Sequence, residues 1–294
     1  MKVPKLAGTG VAVITPFKED GTVDYDGLAA IIEFLIDSKI DFLVALGTTG
    51  ESVTLTAAEK KAVFAAFVST VNGRVPLVMG LGGNNTQALV AEFSSIDTTG
   101  YTAILSVTPY YNRPSQEGLV QHYLALDAVT PLPLIMYNVP GRTGVNMSSA
   151  TTLRIAKTAK RIVGIKDASG DLIQGKEIID SCPEGFLVFS GDDETAISLT
   201  LLGGVGVISV AAGGFPKTFR AGIEAARKQD KPIAQQIDNK IAPVIKLLFQ
   251  EGNPAGIKAV SSQLKLCSDA VRLPLVKASA ALHTALKPYV AQLD

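Results

Sequence analysis

Two cysteines and two histidines in 294 residues leave little material for metal chemistry. Cys182 and Cys267 lie far apart, make no ligand-type pair, and suit a reducing compartment better than a disulfide framework. His122 falls in a helical stretch and His283 in an Ala-rich helical tail. Each reads as a packing or surface residue, so a zinc site that polarises a carbonyl is not expected. An excess of one charge is also missing. Lys+Arg and Asp+Glu stand at 27 each, which supplies no electrostatic footprint for nucleic acid or an anionic membrane. No apolar run is long and unbroken enough to span a bilayer, and residues 1–5 lead into a strand-like run without a signal-peptide core. No Gly-x-Gly-x-x-Gly follows the first strand, which weakens a dinucleotide-binding reading. These absences predict a soluble, cytoplasmic protein that neither crosses a membrane nor binds nucleic acid.

What is present is apolar and regular. Hydrophobic residues make up 47% and charged ones 18%, enough to build a large core and too little charge for extensive disorder. Strand-like runs are expected at 10–17, 41–47, 75–82, 101–108, 132–139, around Lys166, at 186–190 and at 205–211. Helical spacing falls between them, at 24–38, 56–71, 86–98, 115–129, 148–158, 172–181, 194–202 and 216–228. Asp24 is placed to cap the first helix, and Thr56 with Glu59 forms a capping box for the second. Eight such units with short links and no hairpin signals predict a closed (β/α)8 barrel over residues 1–229, with a doubly wound open sheet as the alternative. From residue 230 to 294 only helical patterns follow, at 231–249, 254–267 and 275–293. They form a C-terminal extension suited to capping the barrel or building a subunit interface.

In such a barrel the chemistry sits at the C-terminal ends of the strands. The sixth carries Ile162-Val163-Gly164-Ile165-Lys166. An ammonium among apolar neighbours loses hydration, and the neutral amine so favoured attacks a ketone to form an imine. The plainer reading is a lysine that surfaces where its strand meets solvent. The other strand ends offer Gly47-Thr48-Thr49-Gly50-Glu51, Tyr110-Tyr111-Asn112-Arg113, Tyr137-Asn138-Val139-Pro140-Gly141-Arg142, Gly191-Asp192-Asp193 and Ile208-Ser209. Each has an ordinary counterpart: a tight link, rim packing, a solvated arginine. Functionally, hydroxyls and exposed N–H groups suit a small carboxylate, a phenol beside an amine can shuttle protons, and a guanidinium grips a carboxylate. Glu51, Asp192 and Asp193 read as hydrogen-bonding or capping groups rather than cation ligands.

Taken together, GTTGES (47–52), TPYYNRPSQEGL (108–119), YNVPGRTG (137–144), GIKDASG (164–170), SGDD (190–193) and GVISV (206–210) resemble the dihydrodipicolinate synthase family of pyruvate-dependent class I aldolases. They occur in family order and spacing, and the similarity runs from the first strand into the C-terminal helices. The resemblance implies that Lys166 forms a Schiff base with pyruvate and that Tyr137 donates and accepts protons there. Thr48 would link Tyr137 to Tyr111 in a relay, with Tyr111 reaching into a neighbouring subunit's site. Thr49 would hold the pyruvate carboxylate, with Ile208 and Gly191 lining the same pocket, and Arg142 would receive the carboxylate of L-aspartate 4-semialdehyde. No metal and no external cofactor are implied, and the assembly expected is a homotetramer made as a dimer of dimers. Another pyruvate lyase of the superfamily, acting on N-acetylneuraminate or a 2-keto-3-deoxy sugar acid, is the nearest alternative. A barrel that binds a small molecule without catalysis is the more distant one.

One departure bears on regulation. Feedback-inhibited family members bind L-lysine at the tight-dimer interface, and Ser52, Asn84 and Tyr110 match positions of that site. Ala57 stands where lysine-sensitive relatives often carry a histidine or large aromatic, and Ala88 where they carry a glutamate, with Lys60 nearby. A cationic effector lacking its carboxylate partner is expected to bind weakly.

Overall fold

The computed structural model describes residues 6–293, so segment 1–5 and any leader reading of it lie outside the described residues. Eight parallel strands close into one barrel in chain order: β1 (Gly8–Ala12), β2 (Phe42–Ala45), β3 (Leu77–Gly80), β4 (Ala103–Val107), β5 (Leu134–Asn138), β6 (Ile162–Asp167), β7 (Leu187–Ser190) and β8 (Gly206–Ser209). β8 returns to β1 through the register Gly8 to Gly206 and Gly10 to Ile208. The expected (β/α)8 barrel is therefore the fold.

Alternation of side chains across each strand splits the core in two. The interior holds Phe42, Val44, Leu105, Ile135, Phe189 and Ile208. Phe42 and Phe189 meet edge-on there, with centroids 5.7 Å apart and planes at 64°. A fully buried phenylalanine contributes about 1.5–3 kcal/mol, so these rings anchor the closed end of the barrel. They fit because Gly10 has no side chain; a Cβ there would collide with the Phe42 ring, and overpacking of that kind costs about 1–3 kcal/mol.

The other faces of the strands pack against the helices, through residues such as Leu28, Phe67, Phe93, Leu126, Ile178 and Phe219. Those helices are α1 (Tyr25–Asp37), α2 (Ala57–Val71), α3 (Thr86–Ser95), α4 (Gln116–Val129), the short α5 (Pro140–Thr143), α6 (Ser149–Thr158), α7 (Leu172–Ser181), α8 (Ala196–Leu201) and α9 (Pro216–Arg227). Side-chain caps start several of them. Asp24 accepts from Gly27 N, and the Thr56–Glu59 capping box is present in both directions. Asp171 accepts from Ile173 N and Gln174 N. Each such cap is worth about 1 kcal/mol. Three further helices follow: α10 (Lys231–Gln250), α11 (Ala255–Gln263) and α12 (Ala280–Gln292). α10 runs against α9, and the turn between α10 and α11 reaches the mouth of the barrel, where the Asn253 side chain meets Thr49.

Several boundaries differ from expectation. The ladder of β1 spans Gly8–Ala12, whereas 13–17 continues as buried, non-ladder chain after Val13 N donates to Val44 O. A buried apolar run looks like a strand whether or not it is paired. α3 stops at Ser95 because Ile96 is extended. α12 begins only at Ala280, since the Pro274 segment before it is irregular.

Candidate active site

The aim of Lys166 follows from one extra residue in β6. Leu134 pairs with Ile162, but the next residue, Ile135, pairs with Gly164, which leaves Val163 unmatched. Val163 packs in the barrel interior, whereas Ile162 and Ile165 face the helices. The irregularity shifts the alternation, so that Lys166, paired with Tyr137, points inward; bulges near active sites commonly re-aim a side chain this way. Lys166 is 4% exposed, and its Nζ lies 4.2 Å from the centroid of the Tyr137 ring. Gly191 flanks the lysine stem closely. A Cβ at that position would stand 2.8 Å from both Cγ and Cε of Lys166.

The outward neighbours of the two inward residues hold them in place. Asn138 follows Tyr137, Asp167 follows Lys166, and both are buried. The Asp167 carboxylate accepts from Asn138 Nδ2 (3.0 Å), Ser169 N (3.1 Å), Ser169 Oγ (3.1 Å) and Gln174 Nε2 (3.1 Å). Asn138 Oδ1 accepts from Met147 N at 2.9 Å. A buried carboxylate satisfied by neutral donors fixes the mouth ends of β5 and β6 without placing a cation beside the lysine.

Thr48–Gly50 form a single 3-10 turn after β2. Thr15 Oγ1 donates to Gly50 O at 2.7 Å, and Asn253 Nδ2 donates to Thr49 Oγ1 at 3.0 Å. The carbonyl of Asn253 accepts from Arg142 Nη2 at 3.3 Å. Arg142 is carried by α5, a four-residue helix that the sequence pattern does not announce. Thr48, Tyr110, Tyr137, Arg142, Thr143 and Leu105 line one cavity of about 280 Å³. Ile208 is buried in the same interior cluster as Tyr137.

Beyond β8 the chain is held by Asp193, whose Oδ2 accepts from Val210 N (3.0 Å) and Ala211 N (2.8 Å). Burial pushes that carboxyl up to about 6, against the pull of Ser209 and the two backbone donors.

Tyr111 stands apart from this group. Its side chain is 90% exposed at the rim, and its backbone φ of +73° lies in the left-handed region that a bulky residue rarely enters. His122 is a packing residue. It is 3% exposed, its Nδ1 is 2.8 Å from Thr86 Oγ1, and burial lowers its pKa to about 4. Among the described residues, no group of three His, Cys, Asp or Glu is arranged to hold a metal ion. None of the helices described is long and apolar enough to cross a membrane.

Sequence reasoning missed Asn253, whose only local signal is the Gly-Asn-Pro break at 252–254. It also missed Lys258, a lysine in an apolar helix whose partner lies more than two hundred positions away: its Nζ is 2.5 Å from Glu51 Oε1. Glu51 and Asp193 do serve as hydrogen-bonding groups, as their positions suggested.

Known proteins are similar to this chain in sequence and fold over nearly its whole length. The chain is 47% identical over 275 residues to the 4-hydroxy-tetrahydrodipicolinate synthase of Cytophaga hutchinsonii, covering 94% of this chain and 92% of that one. It is 44% identical over 287 residues to the enzyme of the same name from Flavobacterium psychrophilum, covering 98% of each. Its fold superposes with a TM-score of 0.94 on a crystal structure of the chloride-inhibited dihydrodipicolinate synthase from Acinetobacter baumannii in complex with pyruvate. That protein is 40% identical, and the match covers 99% of this chain and 100% of that one. The model of the dihydrodipicolinate synthetase family matches residues 5–293, and the chain belongs to that family.

Proposed function

We propose that this protein is a 4-hydroxy-tetrahydrodipicolinate synthase that condenses pyruvate with L-aspartate 4-semialdehyde through an imine on Lys166. The observation that carries the reading is a buried amine, 4.2 Å from the ring of a tyrosine that lines a cavity with a guanidinium on its wall.

The amine of Lys166 adds to C2 of pyruvate, and Tyr137 supplies and removes the protons that turn the carbinolamine into the imine and water. Thr49 and the N–H groups of its turn seat the pyruvate carboxylate, with Gly191 and the Ile208 backbone lining the pocket. The iminium withdraws electrons, so a methyl proton leaves to give the enamine. The enamine carbon attacks the aldehyde carbon, whose oxygen takes up a proton and becomes the ring hydroxyl. Arg142 holds the second substrate by its carboxylate. The substrate's amino group then attacks the imine carbon, closes the ring and expels the amine of Lys166. Because the free amine returns at each turnover, no external cofactor enters any step.

Tyr111 completes the relay through Thr48 from a partner copy in a dimer of dimers. Its exposure and left-handed backbone support a side chain held ready for an interface. We read residues 1–229 as the catalytic barrel, 230–294 as the helical extension, and the protein as cytoplasmic.

Pyruvate with borohydride should convert Lys166 irreversibly to a secondary amine, located by peptide mass mapping. Coupled assays should then show turnover of aspartate semialdehyde in preference to N-acetylneuraminate. An adduct at another lysine, or none, overturns the mechanism; turnover of N-acetylneuraminate alone overturns the substrate.

A further inference from the structure

Glu51 closes the Thr48–Gly50 turn in a left-handed conformation, with φ 49° and ψ 34°. For a residue other than glycine this backbone is strained, so something outside the turn must hold it. The holding groups come from α11 and the irregular segment that follows it. Lys258 of α11 places Nζ 2.5 Å from Glu51 Oε1, with side-chain exposures of 0% and 2%. The same ammonium donates to Ala270 O at 2.8 Å and lies 4.2 Å from the centroid of the Phe17 ring. The guanidinium of Arg272 lies 4.5 Å from that ring's centroid, and the Arg272 backbone N donates to Glu51 Oε2 at 3.1 Å.

Taking both charges of such a pair out of water is costly, and an apolar pair of equal volume would often be as stable. Stability alone is therefore a weak reason for an ion pair at this place. Geometry is a better one. A full charge attracts its partner over a longer range than a neutral contact does, and here it acts on the residue next to Gly50.

We propose that Lys258 is a positioning residue for the keto-acid site, acting through Glu51 to hold the Thr48–Thr49 turn at its working distance from Lys166. The C-terminal helices then belong to the catalytic unit. The inference rests on the reading above that Thr49 seats the pyruvate carboxylate.

The test is steady-state kinetics and thermal unfolding of the full chain carrying Glu51→Gln, Lys258→Met, or both. Glu51→Gln keeps the shape and one of the two acceptor oxygens but removes the charge, so it should fold. A seat displaced by a fraction of an ångström should raise KM for pyruvate at least about tenfold, with KM for the aldehyde less affected. Lys258→Met leaves a carboxylate buried and unpaired and should lower Tm most. The double variant removes both buried charges, so its Tm should recover while its KM for pyruvate stays raised. Recovery of KM together with Tm, or an unchanged KM in Glu51→Gln, makes the pair purely structural and overturns the inference. If Lys258→Met does not fold, the other two variants decide the question alone. Borohydride trapping of the unaltered protein separates the two layers. Failure to trap pyruvate on Lys166 removes the site reading and this inference with it. Successful trapping with an unchanged KM in the variants removes only the inference.

Discussion

Adding one methyl group at Gly191 tests whether the tight fit around Lys166 is functional. In Gly191→Ala the new Cβ would stand 2.8 Å from Lys166 Cγ, Lys166 Cε and Ala168 Cβ. Carbons in contact sit about 3.5–4.0 Å apart, so something must move by about 1 Å. The backbone resists, because Gly191 N donates to Asp167 O at 2.7 Å and that bond is worth about 1 kcal/mol. The lysine stem is the softer element and should yield first. Overpacking costs about 1–3 kcal/mol, and the loss of glycine's freedom in the unfolded chain returns about 0.4–1 kcal/mol. The net loss of roughly 1–2 kcal/mol is one that a fold with a typical margin of about 5–15 kcal/mol survives. Moving a nucleophile by ~1 Å costs on the order of 100-fold in rate. Pyruvate trapping, quenched with borohydride over time and followed by intact mass, should therefore slow by about two orders of magnitude while Tm drops by only a few degrees. Adduct formation at the unaltered rate, with Tm lowered, would show that Gly191 matters for packing alone and that the geometric argument is wrong.

Four further outcomes are expected. Arg142→Ala should raise KM for aspartate semialdehyde about 10–100-fold, as loss of a charged hydrogen bond of about 1.5–3 kcal/mol requires, and leave pyruvate trapping intact; a matching fall in trapping would place Arg142 in the wrong step. Tyr111→Phe should lower turnover without changing Tm, since that side chain is 90% exposed; unaltered turnover removes the relay. Burial raises the Asp193 carboxyl from its ordinary 3.8 to about 6, so the stability it contributes is fully present below pH 3.8 and is lost as pH rises towards about 6, roughly 3 kcal/mol in all. His122, lowered from 6.5 to about 4, acts in the opposite sense, its contribution present above pH 6.5 and lost as pH falls towards about 4. Asp193→Asn should thus steepen the loss of stability on acidification between pH 6 and 4, measured by urea unfolding at several pH values, and an unchanged slope contradicts the linkage. Finally, L-lysine at modest concentration should leave turnover nearly unaffected, because Ala88 offers no carboxylate to its ammonium; strong inhibition refutes that.

The strand ends that build the site were legible because buried runs of Val, Ile and Leu stop at glycine or at small polar residues, as at Gly47 and Gly191. α7 came out at its observed bounds because Asp171 caps it and Cys182 leaves the helical region. β1 was misplaced because 13–17 is as apolar as a ladder strand and is buried without being one. The support behind the site was illegible for a different reason. Asn253 and Thr49 are 204 positions apart, and no local pattern couples them. Lys258 sits in a helix where a lysine would ordinarily send its charge to solvent, and only the assembled barrel shows that Glu51 awaits it.

Val163 carries a consequence that reaches past this molecule. Strands count in twos, and one unpaired position upstream of Lys166 decides whether an amine or an isoleucine looks into the lumen. Were Val163 paired regularly with Ile135 instead, the same composition should wrap into a cylinder with Ile165 opposite Tyr137 and a greasy, inert mouth, its amine pressed against the surrounding helices. Grafting Lys166 onto another eight-stranded scaffold would therefore require copying its register against Tyr137 as well as the lysine.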